Sequence, residues 1–155
     1  MSDVQKLKVW KIRLGAQLLT RGSDDAVGYD MRLLLTESEK RLSGSVSLRP
    51  FAVHKLSTGI GVAIPRGHYG RVAPRSGLGF KGIHPLGGVI DPDYRGEVMV
   101  MLVNLSLDTV VIEDGERIAQ LILERCSTLE IEECDLADID ETTRGTSGFG
   151  STGRK

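Results

Sequence analysis

Apolar residues along this chain come in short runs, either alternating with polar ones or rich in branched side chains, and each run stops at a cluster of turn-forming residues. Alternation with a period of two puts every other side chain on one face of a half-buried strand, whereas a helix would repeat its apolar positions every three or four residues. The pattern predicts strands at Val9–Leu14, Tyr29–Leu34, Ser45–Leu48, Phe51–Lys55, Gly59–Ile64, His68–Ala73, Val89–Asp91, Glu97–Asn104, Thr109–Ile112, Arg117–Leu123 and Leu129–Glu132. Between them, Pro65-Arg66-Gly67, Asp93-Tyr94-Arg95-Gly96 and Glu113-Asp114-Gly115 supply the fixed or positive φ of tight turns. Only Ser76–Lys81 reads as a helical turn, and the charged stretch Thr36–Ser45 reads as a surface loop or hairpin tip. So many short strands predict an all-β fold: a sandwich, jelly roll or barrel.

From Cys134 onward the pattern stops. Asp135, Asp138, Asp140 and Glu141 form an acidic linker, followed by a Gly/Ser/Thr-rich terminus with almost nothing to place in a core. The expected division is a β-domain over residues 1–134 and a linker with a C-terminal arm over 135–155.

Composition narrows the partners. The chain has 155 residues, the size of one domain, and its 20 Lys+Arg against 21 Asp+Glu leave a net charge of −1. There is no global basic field to draw it onto nucleic acid or anionic lipid, so any polyanion must be met by local groups. Cys126 and Cys134 lack the spacing of a metal or redox site and are too few for a disulfide framework. No apolar run approaches the ~18 residues of a membrane span, and Met1–Lys11 is too polar for a signal peptide. The expectation is a cytoplasmic or nuclear protein with no membrane and no nucleic-acid partner.

Three segments carry candidate chemistry. In Ala73-Pro74-Arg75-Ser76-Gly77-Leu78-Gly79 a strand ends where Arg75, the Ser76 hydroxyl and adjacent N–H groups could meet an anion, or where an ordinary helix cap could sit. In Gly87-Gly88-Val89-Ile90-Asp91-Pro92-Asp93-Tyr94-Arg95-Gly96 paired glycines let a flat ligand approach the strand Val89–Asp91 closely. Asp91, before a proline, could be a turn cap or a reacting carboxylate. In Arg144–Gly153 four glycines interleaved with hydroxyls could wrap phosphate with backbone N–H groups, and Phe149 is an aromatic with no core to enter. Two shorter stretches join them, Ala26–Asp30, whose Asp30 could steady water around a metal, and Gly115–Leu121, whose Gln120 could donate to phosphate. Gly77, Gly79 and Gly82 match GxGxxG, but His84-Pro85 follows where a long helix should run, which excludes a dinucleotide fold.

In this order the five segments resemble the five motifs of the all-β dUTPase family, the dUTP nucleotidohydrolases, from about Ala26 to Gly153. The resemblance implies a jelly-roll-like, distorted β-barrel subunit in a homotrimer, with shared active sites closed by a neighbour's C-terminal arm. It implies that Asp91 deprotonates a water for attack on the α-phosphorus of dUTP, releasing dUMP and pyrophosphate, and that Mg²⁺ assists. Tyr94 would pack under the deoxyribose, and Gly88, Val89 and Ile90 would read uracil. Arg75, Ser76, Gly77 and Gln120 would bind phosphate, while Asp30 would hold Mg²⁺ through water. Arg144, Phe149, Gly150, Ser151 and Thr152 would close over the nucleotide. Two features depart from the family pattern: a long interval around Thr36–Arg49, read as added surface and a possible protein-partner site, and a short one around Phe80–Leu86.

Two rival readings differ in chemistry. A dCTP deaminase would need a catalytic acid on Val98–Asn104, where Met101 stands instead. A regulatory module would bind dUTP without turning it over.

Overall fold

This computed structural model describes residues 6–148. In chain order they form β1 (Lys8–Lys11), β2 (Gly28–Arg32), α1 (Glu37–Leu42), β3 (Ser45–Leu48), β4 (Val53–Leu56), β5 (Ile60–Ala63), β6 (His68–Ala73), α2 (Ser76–Phe80), β7 (Ile83–Leu86), β8 (Val89–Ile90), β9 (Val100–Asn104), β10 (Val110–Glu113) and β11 (Arg117–Arg125), then a 3-10 turn at Leu136–Asp138. The fold is all-β and jelly-roll-like, as expected. The ladders do not close into a barrel, however. They divide into four antiparallel sheets, β1–β5, β10–β3, β2–β11–β6–β8 and β4–β9–β7.

Alternation explains which faces meet. In β9, Val100, Leu102 and Asn104 are buried while Met101 is exposed, and the core closes with Met31, Leu48, Ile83, Val98, Ile112, Ile118 and Leu121, all nearly solvent-free. The one amide among them is satisfied. Asn104 Nδ2 donates to the carbonyls of Leu48 and Asp108, both at 2.8 Å, and its Oδ1 accepts from Ser106 N at 2.9 Å and Ser106 Oγ at 2.7 Å. A buried polar group so paired avoids the desolvation penalty of an unmade hydrogen bond.

Three expectations are corrected. Thr36–Ser45 is not a plain loop: α1 lies within it, started by a capping box in which the Thr36 hydroxyl accepts from Glu39 N while the Glu39 carboxylate accepts from Thr36 N. The Thr36 hydroxyl, and then its N–H, hold Glu39 below the usual carboxylate range. The wider interval Thr36–Arg49 thus contains α1 and β3. β7 was not expected at all, since Pro85 sits inside it; β7 borders its sheet, where a residue without an N–H is tolerated. Leu129–Glu132 forms no strand, and residues 127–147 are exposed throughout, Leu129 at 85% and Ile131 at 101%. Among the described residues no helix is long and apolar enough to cross a membrane.

Candidate functional site

The glycine-paired segment builds a cavity. Gly87 and Gly88 adopt φ of 62° and 93°, which L side chains rarely adopt, and a Cβ on Gly88 would press on the side chain and carbonyl of Val72. That close approach lets Val72 N donate to Gly88 O at 2.8 Å and seats β8 against β6 with Ile90 opposite Gly70 and Val89 opposite Arg71. Beyond β8 the chain turns at Asp91, whose carbonyl accepts from Tyr94 N at 3.1 Å. The turn is therefore closed by backbone, and no described residue donates to the Asp91 carboxylate, so the turn-cap alternative does not apply.

Asp91 reaches the wall of a cavity of about 350 Å³ shared with Gly88, Val89, Ile90 and Tyr94. Four of the five were expected to bind one ligand and the fifth to react with it, and the fold brings all five together. The tyrosine lies back across Gly96, where a Cβ would collide with its ring, and its hydroxyl donates to Glu97 O at 2.9 Å. Lys55, Glu97, Met99 and Met101 also line the cavity, and none of them carried a binding role on sequence alone. A signal existed: the period of two along Val98–Asn104 sends Met99 and Met101 to the face opposite the core.

A second cluster occupies one row of the four-stranded sheet, where Asp30 pairs with Gln120 and Gln120 with Ala73. Arg75 Nε donates to Asp30 Oδ1 at 3.1 Å, and an Arg117 guanidinium nitrogen donates to Asp30 Oδ2 at 3.0 Å. Gln120 Nε2 donates to Pro74 O at 2.9 Å. Two guanidinium groups fixed around a carboxylate that is only 13% exposed make a rigid, cationic surface suited to phosphate oxygens. Arg117 was missed, although it lies in the quoted segment Gly115–Leu121. Ser76 and Gly77 begin α2 beside this cluster, both exposed; Arg75, not Ser76, occupies the cap position.

The donor set speaks against a cage for a metal ion built by this chain. Asp30 is already engaged by two arginines, and among the described residues no three His, Cys, Asp or Glu side chains group to hold one.

Asp91 and the arginine cluster stand off opposite ends of β6. Asp91 follows Ile90 and so lies at the level of Tyr69 on β6, whereas Arg75 lies beyond the other end of that strand, at Ala73; the strand from Tyr69 to Ala73 alone spans roughly 13 Å at ~3.3 Å per residue. Arg144 is exposed in the tail, where its Nε donates to Ser147 O at 3.1 Å. Phe149, Gly150, Ser151 and Thr152 lie outside the described residues.

Known proteins resemble this chain along nearly all its length. The deoxyuridine 5'-triphosphate nucleotidohydrolase of Candida albicans is 43% identical over 155 residues, covering 99% of this chain and 92% of that protein. The mouse protein of the same name is 42% identical over 153 residues, covering 98% and 88%. Among solved structures, the dUTPase of Staphylococcus bacteriophage 80alpha with dUPNHPP aligns with a TM-score of 0.82 at 25% identity, covering 97% of this chain and 99% of that one. A point mutant of the dUTPase of phage phi11, described with a structural Mg(II) ion, shares the fold at a TM-score of 0.73 and 21% identity, covering 87% and 100%. A family model, dUTPase, matches residues 15–153, and with curated relatives above two-fifths identity over almost the whole chain, this protein belongs to the dUTPase family.

Proposed function

We propose that this chain hydrolyses dUTP to dUMP and pyrophosphate. The observation that carries the reading is the Asp91 carboxylate, without a donor among the described residues, on the wall of the cavity that Gly88, Val89, Ile90 and Tyr94 also line. Asp91 takes a proton from a water as its oxygen bonds to the α-phosphorus; the bond from that phosphorus to the bridging oxygen breaks, and pyrophosphate leaves with the electron pair. The backbone of Gly88–Ile90 pairs with uracil. Tyr94 lies under the deoxyribose, where a 2′-hydroxyl would clash. Cytosine would leave buried donors and acceptors mismatched, a far larger penalty than a lost apolar contact.

Arg75, Arg117 and Gln120, with Ser76 and Gly77, hold the phosphates. Asp30 fixes both guanidinium groups and would meet Mg²⁺ only through water. Mg²⁺, whose preference is for phosphate oxygens and retained waters, would be carried by the triphosphate and would supply charge neutralisation there.

Because Asp91 and Arg75 stand off opposite ends of β6, the reading takes Asp91 and Tyr94 from one copy and Arg75 and Gln120 from another; this supports shared sites between copies, in the homotrimer that the resemblance to dUTPases implies. The bare Leu129 and Ile131 side chains support it too, since exposed apolar residues in an extended segment favour a partner surface. Arg144 and the Phe149–Thr152 stretch then close over the nucleotide and exclude water. The two unbridged thiols, Cys126 and Cys134, accord with a cytoplasmic or nuclear setting.

The test is a screen of nucleoside triphosphates with magnesium, monitoring pyrophosphate. Release from dUTP, and not from dCTP, dTTP or UTP, is expected. Tight dUTP binding without release would replace the enzyme with a binding module.

A further inference from the structure

We infer that Glu97 is a positioning residue that sets the pose of Tyr94, and through it the discrimination between deoxyribose and ribose; the substrate part of this inference rests on the proposed dUTP reading. Among the described residues the Tyr94 side chain makes a single polar contact, its hydroxyl donating to Glu97 O at 2.9 Å. That carbonyl shares a planar peptide unit with Val98 N, which donates to Ile60 O at 2.9 Å, so one side of the peptide is held by β5; its other side follows Gly96, which constrains the chain least.

The second tie on Glu97 is its own side chain. One carboxylate oxygen, Oε1, accepts both from Ser57 Oγ and from Gly59 N, the latter at 2.7 Å, so the residue is tied across to the turn between β4 and β5. That turn is held in its place from behind. An Arg13 guanidinium nitrogen donates to Ser57 Oγ at 2.6 Å, and the N–H groups of Ile12 and Arg13 donate to Gly59 O at 2.8 and 3.2 Å. On the next residue, Val98 N donates to Ile60 O at 2.9 Å, and the buried Thr58 hydroxyl donates to Val98 O at 2.6 Å. The Val98 N–H bond and the Glu97 carboxylate thus hold the Glu97–Val98 peptide from both sides, and the tyrosine hangs from its carbonyl. Charged hydrogen bonds of this kind are among the stronger ones and give geometric definition as well as energy.

Both donors converge on one oxygen, so an amide can replace the acid. Glu97→Gln retains an acceptor at that place, whereas Glu97→Ala removes it. Steady-state kinetics with dUTP and UTP separate the two. Glu97→Ala is expected to narrow the dUTP/UTP ratio of kcat/KM about tenfold, mainly through the KM for dUTP, as loss of one well-formed hydrogen bond allows, and Glu97→Gln to keep the ratio within about twofold of wild type. Adding Tyr94→Phe to Glu97→Ala should narrow it little further, because both act on one contact. The ring resonances of Tyr94 in the ligand-free protein give a readout that needs no turnover: they should shift in the Ala variant and stay in the Gln variant.

An unchanged ratio and unchanged Tyr94 resonances in Glu97→Ala overturn the inference. So does an equal fall in activity on both substrates with a lowered melting temperature, which marks a merely structural role, or a Gln variant that behaves like Ala. If the wild-type chain does not turn over dUTP, the functional reading fails on its own, while the Tyr94 resonances still decide whether Glu97 positions the ring.

Discussion

Gln120 lies directly over Gly28, so that a Cβ built on the glycine would collide with the side-chain amide. The two belong to adjacent strands, β11 and β2, and the missing side chain leaves room for Gln120 to lie flat and donate to Pro74 O. Gly28→Ala should therefore push the amide off its place and out of the phosphate cluster. The expected result is a KM for dUTP raised about tenfold with a stability loss of ~1–3 kcal/mol, read by kinetics and thermal melting. Unaltered kinetics would show that Gln120 does not meet substrate.

Asp91→Asn keeps the shape of the side chain and removes its capacity to accept a proton. Turnover should fall by roughly a thousandfold, with dUTP affinity and oligomeric state preserved, as measured by calorimetry and sedimentation. Wild-type rates in this variant would sink the general-base mechanism.

Removing residues 143–155 should cost roughly a hundredfold in kcat/KM, the scale of lost substrate positioning, while circular dichroism and melting temperature stay near wild type. The core gives the physical ground for the second half of that statement, since residues 127–147 are exposed and contribute nothing to it. A fully active truncated protein would remove the arm from the mechanism.

Acid should probe a third place, the outer face of β6 and β11. Arg71, and then the Tyr69 hydroxyl, hold the Glu124 carboxyl below its usual range. In turn Glu124 raises the Tyr69 hydroxyl above its usual range. A depressed carboxyl contributes stability that is present above its unfolded value and lost as pH falls through its folded one; a raised tyrosine contributes below its unfolded value and loses it as pH rises through the folded one. The cluster thus supports the fold across neutral pH and fails at both extremes. Denaturant midpoints of Glu124→Gln measured from pH 3 to 7 should show a shallower acid decline than wild type, on the order of the small effects usual for exposed pairs.

Most strands were legible because alternation is a property of a few adjacent residues, and β3 and β6 run from Ser45 to Leu48 and from His68 to Ala73 as expected. β7 was hidden by Pro85, whose fault is harmless only at a sheet border, and a border is a fact about distant strands. α1 carries no apolar stripe and buries nothing, so only the Thr36-x-x-Glu39 cap announced it. For the site, the grouping of Asp91, Tyr94 and Gly88 was legible because they are neighbours in sequence. The pinning of Asp30 by Arg117 was not, as those residues meet only through the pairing of β2 with β11.

The distance between Asp91 and Arg75 along β6 bears on what happens when unlike copies mix. If each site draws its carboxylate from one chain and its arginine from another, a copy lacking Asp91 and a copy lacking Arg75 are both inert alone yet hold all the parts between them. Co-assembled, they would regain part of the activity that neither possesses, and a cell carrying two such defective alleles would be healthier than one carrying either in double dose. Dilution would act the opposite way, since separating the copies would part the carboxylate from the arginine.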